Sequence, residues 1–142
     1  MKINLFVCLF FIGLTIYAKD TYGAIVIDEV TSVYDGDTFT VNIKNYPPIS
    51  GERVSVRING IDAPELKGKC NKEIILARKA KQITVCMLRN AKVVELRNMQ
   101  RDKYFRIVAD VYTDNKSIAE SLIKNNLAVI YNGGTKTKNW CE

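Results

Sequence analysis

The 142-residue sequence contains no histidine at all. This absence excludes Ser-His-Asp triads, imidazole general bases, most catalytic zinc sites and haem held by histidine. Proline and glycine are also scarce, with 3 and 8 residues, so the composition is unlike that of collagenous or disordered chains. Any chemistry that this chain performs must therefore use carboxylates, arginine, lysine, tyrosine or cysteine.

The N-terminal segment has the anatomy of a secretory leader. Residues 1–18 read Met-Lys, then an apolar run over Ile3–Tyr17, then Ala18 ahead of two charged residues. About 15 apolar residues fall short of the roughly 20 that a membrane-spanning helix needs, which favours a cleaved leader over a membrane anchor. We predict a signal peptide over 1–18, with Ala24 as a second candidate cleavage position. The protein is then expected to be exported to a periplasm or the medium, without stable membrane association.

The remaining residues, 19–142, are predicted to form one domain. Loss of Lys2 with the leader lowers the formal net charge from +6 to +5, and 47% of the sequence is hydrophobic, enough for a packed core. A basic domain binds polyanions with an affinity that falls as the salt concentration rises. Net charge alone is equally consistent with a secreted protein that binds anionic surfaces.

Three cysteines remain once Cys8 leaves with the leader, so at most one intramolecular disulfide is possible. Cys86 falls within a predicted helix, well off its apolar stripe. By elimination we favour a bridge between Cys70 and Cys141. The alternative is three free thiols, some of which are merely small packing residues.

Hydrophobic periodicity predicts a strand meander interrupted by helices. Segment 45–51 is a loop by composition, and residues 71–90 suit a helix of about five turns because they lack glycine and proline. A second helix is predicted over Ser117–Asn125, followed by extended structure over Leu127–Tyr131. The predicted strands are Ala24–Val33, Thr38–Ile43, Arg53–Ile61, Val93–Asn98 and Tyr104–Tyr112. This order predicts an α+β fold, a five-stranded oligonucleotide-binding (OB-fold) barrel with a long helix between strands 3 and 4 and a second helix near the C-terminus.

Two short segments concentrate acidic groups. In the segment 34–38, Asp35 and Asp37 flank a glycine, so both carboxylates can point toward one place; the alternative is ordinary turn chemistry, with glycine at positive φ. In the segment 56–65, Asp62 and Glu65 lie on either side of a rigid Ala-Pro turn that follows a strand carrying Arg57. A surface ion-pair cluster would explain the second segment equally well.

A third segment, 101–106, places basic residues ahead of an apolar strand. Alternation predicts that Arg106 shares a strand face with Tyr104 and Val108. Taken alone, this segment is typical of a solvated basic turn. Its significance depends on its combination with the two acidic segments.

In combination, these motifs resemble the staphylococcal nuclease family, also called thermonucleases. The resemblance covers Val33–Tyr131 and is carried by four motifs in the family's order: Tyr-Asp-Gly-Asp-Thr at 34–38, Val-Arg-Ile and Gly-Ile-Asp-Ala-Pro-Glu within 56–65, Asp-Lys-Tyr-Phe-Arg at 102–106, and Leu-Ala-Val-Ile-Tyr at 127–131. It implies an OB-fold barrel with packed helices. It also implies a calcium-dependent, sugar-nonspecific nuclease that cuts DNA and RNA to leave 3′-phosphate ends.

The resemblance also assigns roles residue by residue. Asp37, Asp62 and the backbone oxygen of Ala63 would bind Ca²⁺, a hard cation that prefers oxygen ligands. Glu65 would position or deprotonate the attacking water. The remaining assignments are phosphate binding by Arg57 and Arg106, a nucleotide site lined by Lys103, Tyr104 and Tyr131, and a supporting acid, Asp35, beside the metal.

The sequence departs from the family's pattern in two places. Phe105 stands where the best-known members have glycine, which predicts a local difference in the backbone or the pocket rim. The chain also ends soon after Tyr131, without their long C-terminal helix; residues 132–136 read as a flexible turn, and a Cys70–Cys141 bridge with burial of Trp140 would replace that helix. We expect a monomer. A non-catalytic OB-fold module that binds nucleic acid remains the alternative function.

Overall fold

The computed structural model describes residues 21–142. The predicted signal peptide lies outside the described residues. Three helices are present in the described part: α1 (Pro48–Gly51), α2 (Asn71–Asn90) and α3 (Ile118–Lys124). The strands are β1 (Ala24–Val26), β2 (Glu29–Val33), β3 (Thr38–Asn42), β4 (Val54–Ile58), β5 (Ile61–Asp62), β6 (Val94–Arg101), β7 (Ile107–Thr113), β8 (Lys116–Ser117) and β9 (Val129–Ile130).

The main sheet curls because its first strand-forming segment, residues 24–33, pairs with a different neighbour at each end. β1 pairs with β6, whereas β2 pairs with β3, and the sheet runs in the order β1-β6-β7-β4-β3-β2. The change of partner occurs within two residues, since Ile27 N donates to Val94 O and Asp28 N donates to Asn42 O. The single predicted strand over Ala24–Val33 is therefore wrong in detail: one bent segment forms both edges of the sheet.

The other strands complete the curled sheet. β4 pairs with β3 in antiparallel fashion and with β7 in parallel fashion, and β6 and β7 form the longest antiparallel pair. Arg57 lies opposite Thr38 on one neighbour and Val108 on the other. The middle of β4 therefore lies between the two strands that border the acidic turn and the basic turn.

The barrel interior follows the alternation of the strands. Phe39, Val41, Val56 and Ile58 are fully buried, while their chain neighbours are more exposed. α2 begins at the predicted residue and buries Ala77, Ala80, Thr84 and Leu88 along one face. α3 contributes Ile118 and Leu122. The α+β, OB-like fold with a long helix between its third and fourth barrel strands is confirmed.

Three local predictions are wrong. The predicted loop 45–51 contains α1, which begins at Pro48, a residue whose fixed φ suits the first helical position. The predicted strand Arg53–Ile61 is divided into β4 and β5 by a turn at Asn59–Gly60. The predicted strand Tyr104–Tyr112 begins only at Ile107, because residues 102–106 form a turn instead.

The C-terminal segment is fastened to the start of α2. Cys70 and Cys141 form a disulfide, with their Cα atoms 6.0 Å apart, and Cys86 is free and exposed. Trp140, the residue before Cys141, is buried. The bridge closes a loop of 71 residues, and closing a loop of that length restricts the unfolded chain by about 4 kcal/mol in the chain-entropy account. Among residues 21–142, no helix is both long enough and apolar enough to cross a membrane.

Candidate active site

The acidic turn between β2 and β3 forms the centre of the candidate site. Asp35 and Asp37 are both buried. Asp35 Oδ1 accepts a hydrogen bond from Asp37 N at 3.1 Å, and Asp37 Oδ1 accepts one from Thr38 Oγ1 at 3.0 Å. Asp37 Oδ2 accepts from Ala63 N at 2.9 Å, which ties the turn to the residue after β5. These contacts fix both carboxylates before any ligand arrives.

Gly36 is required by packing rather than by its backbone angle. A Cβ added there would lie 2.7 Å from the Cβ of Ala80 and 3.2 Å from that of Ala63, closer than packed carbon atoms approach. Thr84 Oγ1 also donates to Gly36 O at 2.6 Å. The alternative explanation of this segment, a turn with glycine at positive φ, does not hold, because the φ of Gly36 is not positive. Its missing side chain instead lets α2 support the acidic turn.

Arg57 projects from β4 into the acids. Its side chain is only 12% exposed and forms an ion pair with Asp37. Nη2 lies 3.8 Å from Asp62 Oδ1 and donates to Ile61 O at 3.1 Å. Burial lowers the pKa of Arg57, while the charges of Asp35 and Asp62 act in the opposite direction. Since a guanidinium does not lose its proton in proteins, Arg57 supplies a permanent positive charge.

Asp62 and Ala63 follow β4 across the Asn59–Gly60 turn, and both are buried. Pairing of β5 with β9 places Asp62 opposite Val129. Asp62 Oδ1 receives no aligned hydrogen bond from any described residue, although Lys136 Nζ lies 2.7 Å away as an ion pair. The cations nearest to this oxygen are therefore Lys136 and Arg57.

Glu65 lies at the rim and is held by its backbone. Its side chain is about half exposed, and its Oε1 lies 2.6 Å from Lys136 Nζ. The buried carboxylate of Glu73, in the first turn of α2, accepts from Glu65 N at 3.3 Å and from Lys69 N at 2.8 Å. Sequence reasoning missed Glu73, because the backbone groups that it holds, Glu65 N and Lys69 N, lie in the segment before α2 and no helical pattern signals them.

The basic turn presents Arg106 on the other side of the site. The Asp102 carboxylate accepts hydrogen bonds from Arg106 Nε at 2.8 Å, Arg106 N at 3.0 Å and Tyr104 N at 2.8 Å. Burial acts to raise the pKa of Asp102, but the hydrogen bonds from Arg106 and Tyr104 outweigh it and leave this pKa lowered. Arg106 lies in the turn and not on a strand face as predicted. No described acceptor engages its Nη1 or Nη2, so both remain free for an anion.

Phe105 adopts a backbone conformation that favours glycine. Its φ is 61°, in the left-handed region, and the residue is 81% exposed. Phe105 N still donates to Asp102 O at 3.2 Å, so the turn closes and the Asp102–Arg106 contacts form. The substitution is therefore tolerated at the cost of backbone strain.

Replacing Phe105 by glycine is expected to stabilise the protein. A bulky residue in the left-handed region costs about 1–2 kcal/mol, and the exposed ring contributes little packing in return. Part of this gain is offset by the greater freedom of glycine in the unfolded chain, which leaves about 0.5–1 kcal/mol. Urea unfolding of the two proteins measures the difference. A less stable Phe105→Gly variant would show that the ring packs against something that outweighs the strain.

The predicted nucleotide-binding residues lie beside these charged groups. Tyr104 is largely exposed, with Lys103 Nζ 5.1 Å and Arg106 Cζ 5.3 Å from its ring centroid. Tyr131 N donates to Gly60 O at 2.9 Å, and its hydroxyl donates to Gly134 O at 2.6 Å. Tyr131 thus joins the C-terminal segment to the turn after β4.

One open cleft of about 890 Å³ brings most of the predicted residues together. Asp62 and Ala63 do not line the cleft, but each contacts a residue that does: Asp62 meets Lys136, and Ala63 meets Asp37. Cys70 and Cys141 also lie outside its lining. The predicted residues that line it are Asp35, Asp37, Arg57, Glu65, Lys103, Tyr104, Arg106 and Tyr131.

Sequence reasoning missed Lys136, which also lines the cleft. Its ammonium contacts both Asp62 and Glu65, and these contacts raise its pKa even though burial acts to lower it. The residues it meets are 74 and 71 positions away in the chain. No local pattern in the segment 132–136, which reads as a turn, signals such a contact.

Asp35 carries an electrostatic cost at neutral pH. Burial raises its pKa above the usual 3.8, and the negative charge of Glu65 raises it further. An acid whose pKa is raised by folding destabilises the native state when ionised, and this cost disappears as the pH falls through the raised pKa toward the unfolded value.

We therefore expect Asp35→Asn to be more stable than the natural chain at pH 7 without divalent cations. The amide oxygen can still accept from Asp37 N, so the variant removes the charge and keeps the hydrogen bond. The advantage should shrink as the pH is lowered and vanish below about 3.8, where the carboxyl is protonated in both states. Thermal unfolding in chelator between pH 3 and 7 measures this. An advantage that does not depend on pH would contradict the electrostatic cause.

The donor set fits a hard cation. Asp37 and Asp62 carry buried carboxylates on either side of Arg57, Ala63 N donates to Asp37, and neither histidine nor cysteine is among the residues that line the cleft. The buried Asp62 Oδ1 already has one cationic neighbour, Lys136 Nζ, at 2.7 Å. Oxygen ligands of this kind suit Ca²⁺ or Mg²⁺ and not the softer metals that prefer thiolate or imidazole.

Comparison with known proteins agrees with the fold. A probable endonuclease of Schizosaccharomyces pombe is 35% identical over 92 residues, which cover 60% of this chain and 40% of that protein. The chain therefore accounts for less than half the length of this relative. The family model described as staphylococcal nuclease homologue matches residues 55–140, a range that includes Arg57, Glu65 and Arg106. This match confirms the resemblance seen in the sequence motifs, and the chain belongs to the family of staphylococcal nuclease homologues.

Proposed function

We propose that this protein is a calcium-dependent nuclease that hydrolyses phosphodiester bonds of both DNA and RNA and leaves 3′-phosphate ends. One observation carries the proposal: Asp37, Asp62 and Arg57 form a contiguous buried cluster, and Glu65 and Arg106 lie on the same cleft. Membership of the nuclease family supports the reaction class. The name of the matched relative supports internal cleavage of the strand, which we extend to this chain.

Asp37, Asp62 and the backbone oxygen of Ala63 would hold the cation. When bound there, Ca²⁺ would act as a Lewis acid that offsets negative charge on the phosphodiester. Of the three protein groups, the two carboxylates are buried and already oriented by Thr38, Ala63 and Arg57. Their positions need little adjustment on binding, which favours affinity.

The chain's own residues supply the remaining chemistry. Glu65 orients a water molecule and accepts its proton while the water oxygen bonds to phosphorus and the bond from phosphorus to the 5′-oxygen breaks. The 5′-oxygen leaves as a hydroxyl after taking a proton from solvent water in the open cleft, the exposed Glu65 returns its proton to solvent, and the phosphate stays on the 3′-side. Arg106 offers two unpaired guanidinium nitrogens to the phosphate oxygens, and Arg57 contributes permanent positive charge beside them.

The surfaces around the cleft suit a nucleic acid strand of either sugar. Tyr104 exposes a ring on which a base can stack, and stacking does not depend on base identity. Lys103 stands beside that ring as a cation for the backbone. None of the argued contacts reads a 2′-hydroxyl, so we propose that both DNA and RNA are cut.

Nuclease assays on the purified chain test this proposal. Plasmid DNA and a structured RNA are incubated with calcium or with chelator, and cleavage of both only with calcium is expected. Mass spectrometry of products from a short oligonucleotide should show phosphate on the 3′-end of the upstream fragment. Binding without cleavage would favour the non-catalytic module, and products with 5′-phosphates would contradict the proposed bond cleavage.

We also propose that residues 1–18 direct export to a periplasm or the medium. The Cys70–Cys141 disulfide supports an oxidising compartment, because such bonds persist outside the reducing cytosol. N-terminal sequencing of the protein recovered from cell fractions tests the proposal. A first residue near Lys19 in an exported fraction is expected, and an intact Met1 in the cytosol would contradict it.

A further inference from the structure

Lys136 lies where two acidic groups of the candidate site converge. Its Nζ is 2.7 Å from Asp62 Oδ1 and 2.6 Å from Glu65 Oε1. Asp62 is a proposed cation ligand, and Glu65 is the proposed base. A single ammonium therefore neutralises both Asp62, which the proposed reaction needs for binding the cation, and Glu65, which it needs for taking a proton from water.

The loop that carries Lys136 is anchored at both ends and unpacked in between. At one end, Tyr131 donates hydrogen bonds to Gly60 O and Gly134 O. At the other end, the disulfide to Cys70 holds Cys141. Between them, Gly133 and Gly134 have φ values of 93° and 84°, and no heavy atom beyond the adjacent residues lies within 4 Å of a Cβ added at either position. The loop thus keeps the ammonium near the site while leaving room for it to move.

Lys136 and a bound divalent cation would compete for the same oxygen. The carboxylate of Asp62 is buried, and its Oδ1 faces the ammonium at ion-pair distance. Two cations in contact with one oxygen repel each other, and the repulsion is strong where water is excluded. A ligand that must first displace a tethered group binds with an affinity reduced by the fraction of open sites.

We propose that Lys136 occupies the cation site as a tethered ammonium in the metal-free protein, and that this residue sets the site's affinity for Ca²⁺. The inference rests on the proposed calcium site, but not on the proposed reaction. In the metal-free protein, the ammonium stabilises a buried carboxylate that would otherwise lack a close cation besides Arg57. When calcium binds, the ammonium moves away from Asp62, and its ion pair with Glu65 breaks.

Calorimetric titration with calcium alone, without substrate, provides the test. The proteins compared are the natural chain, Lys136→Gln and Lys138→Gln. Lys138 is a matched control because it lies on the same loop but contacts the Trp140 ring, with its Nζ 5.6 Å from the ring centroid. Lys136→Gln should bind calcium about tenfold more tightly, equivalent to about 1.4 kcal/mol, whereas Lys138→Gln should match the natural chain.

A second readout does not depend on titration. In chelator, Lys136→Gln should unfold at a lower temperature than the natural chain, because the Asp62 charge has lost a partner. Saturating calcium should raise its unfolding temperature by more than it raises that of the natural chain. Lys136→Arg, which keeps the charge, should behave like the natural chain in both measurements.

The outcomes separate this inference from the proposed function. Equal or weaker calcium affinity in Lys136→Gln overturns the inference, even if the natural chain is a calcium-dependent nuclease. Tighter binding in Lys136→Gln upholds it, even if no cleavage is detected and the proposed reaction fails. Absence of calcium binding in every variant overturns the inference together with the proposed cation site, and cleavage assays then judge the nuclease on their own.

Discussion

Replacing Glu65 by glutamine is expected to lower kcat on DNA and RNA by about 10²- to 10⁴-fold, the usual contribution of a general base. Glutamine keeps the shape of the side chain and an oxygen near Lys136, but it cannot take a proton from water. Because Glu65 is about half exposed and its backbone is held by Glu73, the fold should be unaffected. Initial rates of oligonucleotide cleavage at saturating calcium measure the effect.

The Glu52→Gln variant serves as the matched control for Glu65. Glu52 is an exposed acid at the end of α1, outside the residues that line the cleft. It should retain full activity, and both variants should have the same unfolding temperature as the natural chain. A Glu65→Gln protein with undiminished turnover would exclude proton transfer to this residue.

Replacing Arg57 is expected to have the second large effect, on activity and on stability together. Loss of a guanidinium that stabilises charge on a transferring phosphoryl group costs about 10³-fold in turnover. Arg57→Lys should suffer nearly as much as Arg57→Ala, since an ammonium cannot contact Asp37 and Ile61 O at once with the same fork. Cleavage kinetics of both variants at saturating calcium provide the measurement.

The stability of Arg57→Ala distinguishes a buried charge from a surface one. Removal of the Arg57 side chain leaves Asp37 and Asp62 buried without a guanidinium partner. Breaking a buried ion pair costs about 3–5 kcal/mol of folding stability. Calcium should restore part of this loss, because it returns positive charge to the same carboxylates. Arg89→Ala, an exposed change in the last turn of α2, is the control and should change neither property strongly. An Arg57→Ala protein that is active and equally stable would contradict both roles.

Local sequence patterns predicted the elements that are defined by contacts between residues close together in the chain. α2 extends over Asn71–Asn90, as its composition and periodicity indicated, because a helix of this length is defined by neighbours three and four residues apart. The strands β3 and β4 alternate as expected for the same kind of reason. The basic turn differs: its hydrogen bonds to Asp102 displace the start of β7 to Ile107, and strand periodicity does not register such a competing side-chain contact.

The motifs also pointed to the residues of the cleft, since each motif keeps its charged groups within a few positions. The motifs do not show how close their segments lie in the folded protein. Arg57 meets Asp37 only because β3 and β4 pair with Arg57 opposite Thr38, and Arg106 joins them because β4 and β7 run in parallel. Their roles as ligands, base and phosphate-binding groups remain predictions for the variants described above.

The sequence by itself determined the helix over 71–90, the alternating strands and the identity of the charged groups, because each depends on residues adjacent along the chain. Only the tertiary structure decided that the first strand divides at Ile27, that Gly36 makes room for α2, and that Lys136 reaches Asp62. Each of these depends on contacts between residues dozens of positions apart. Such contacts are set by how the sheet closes and by where the C-terminal segment is fastened, and no local periodicity encodes either.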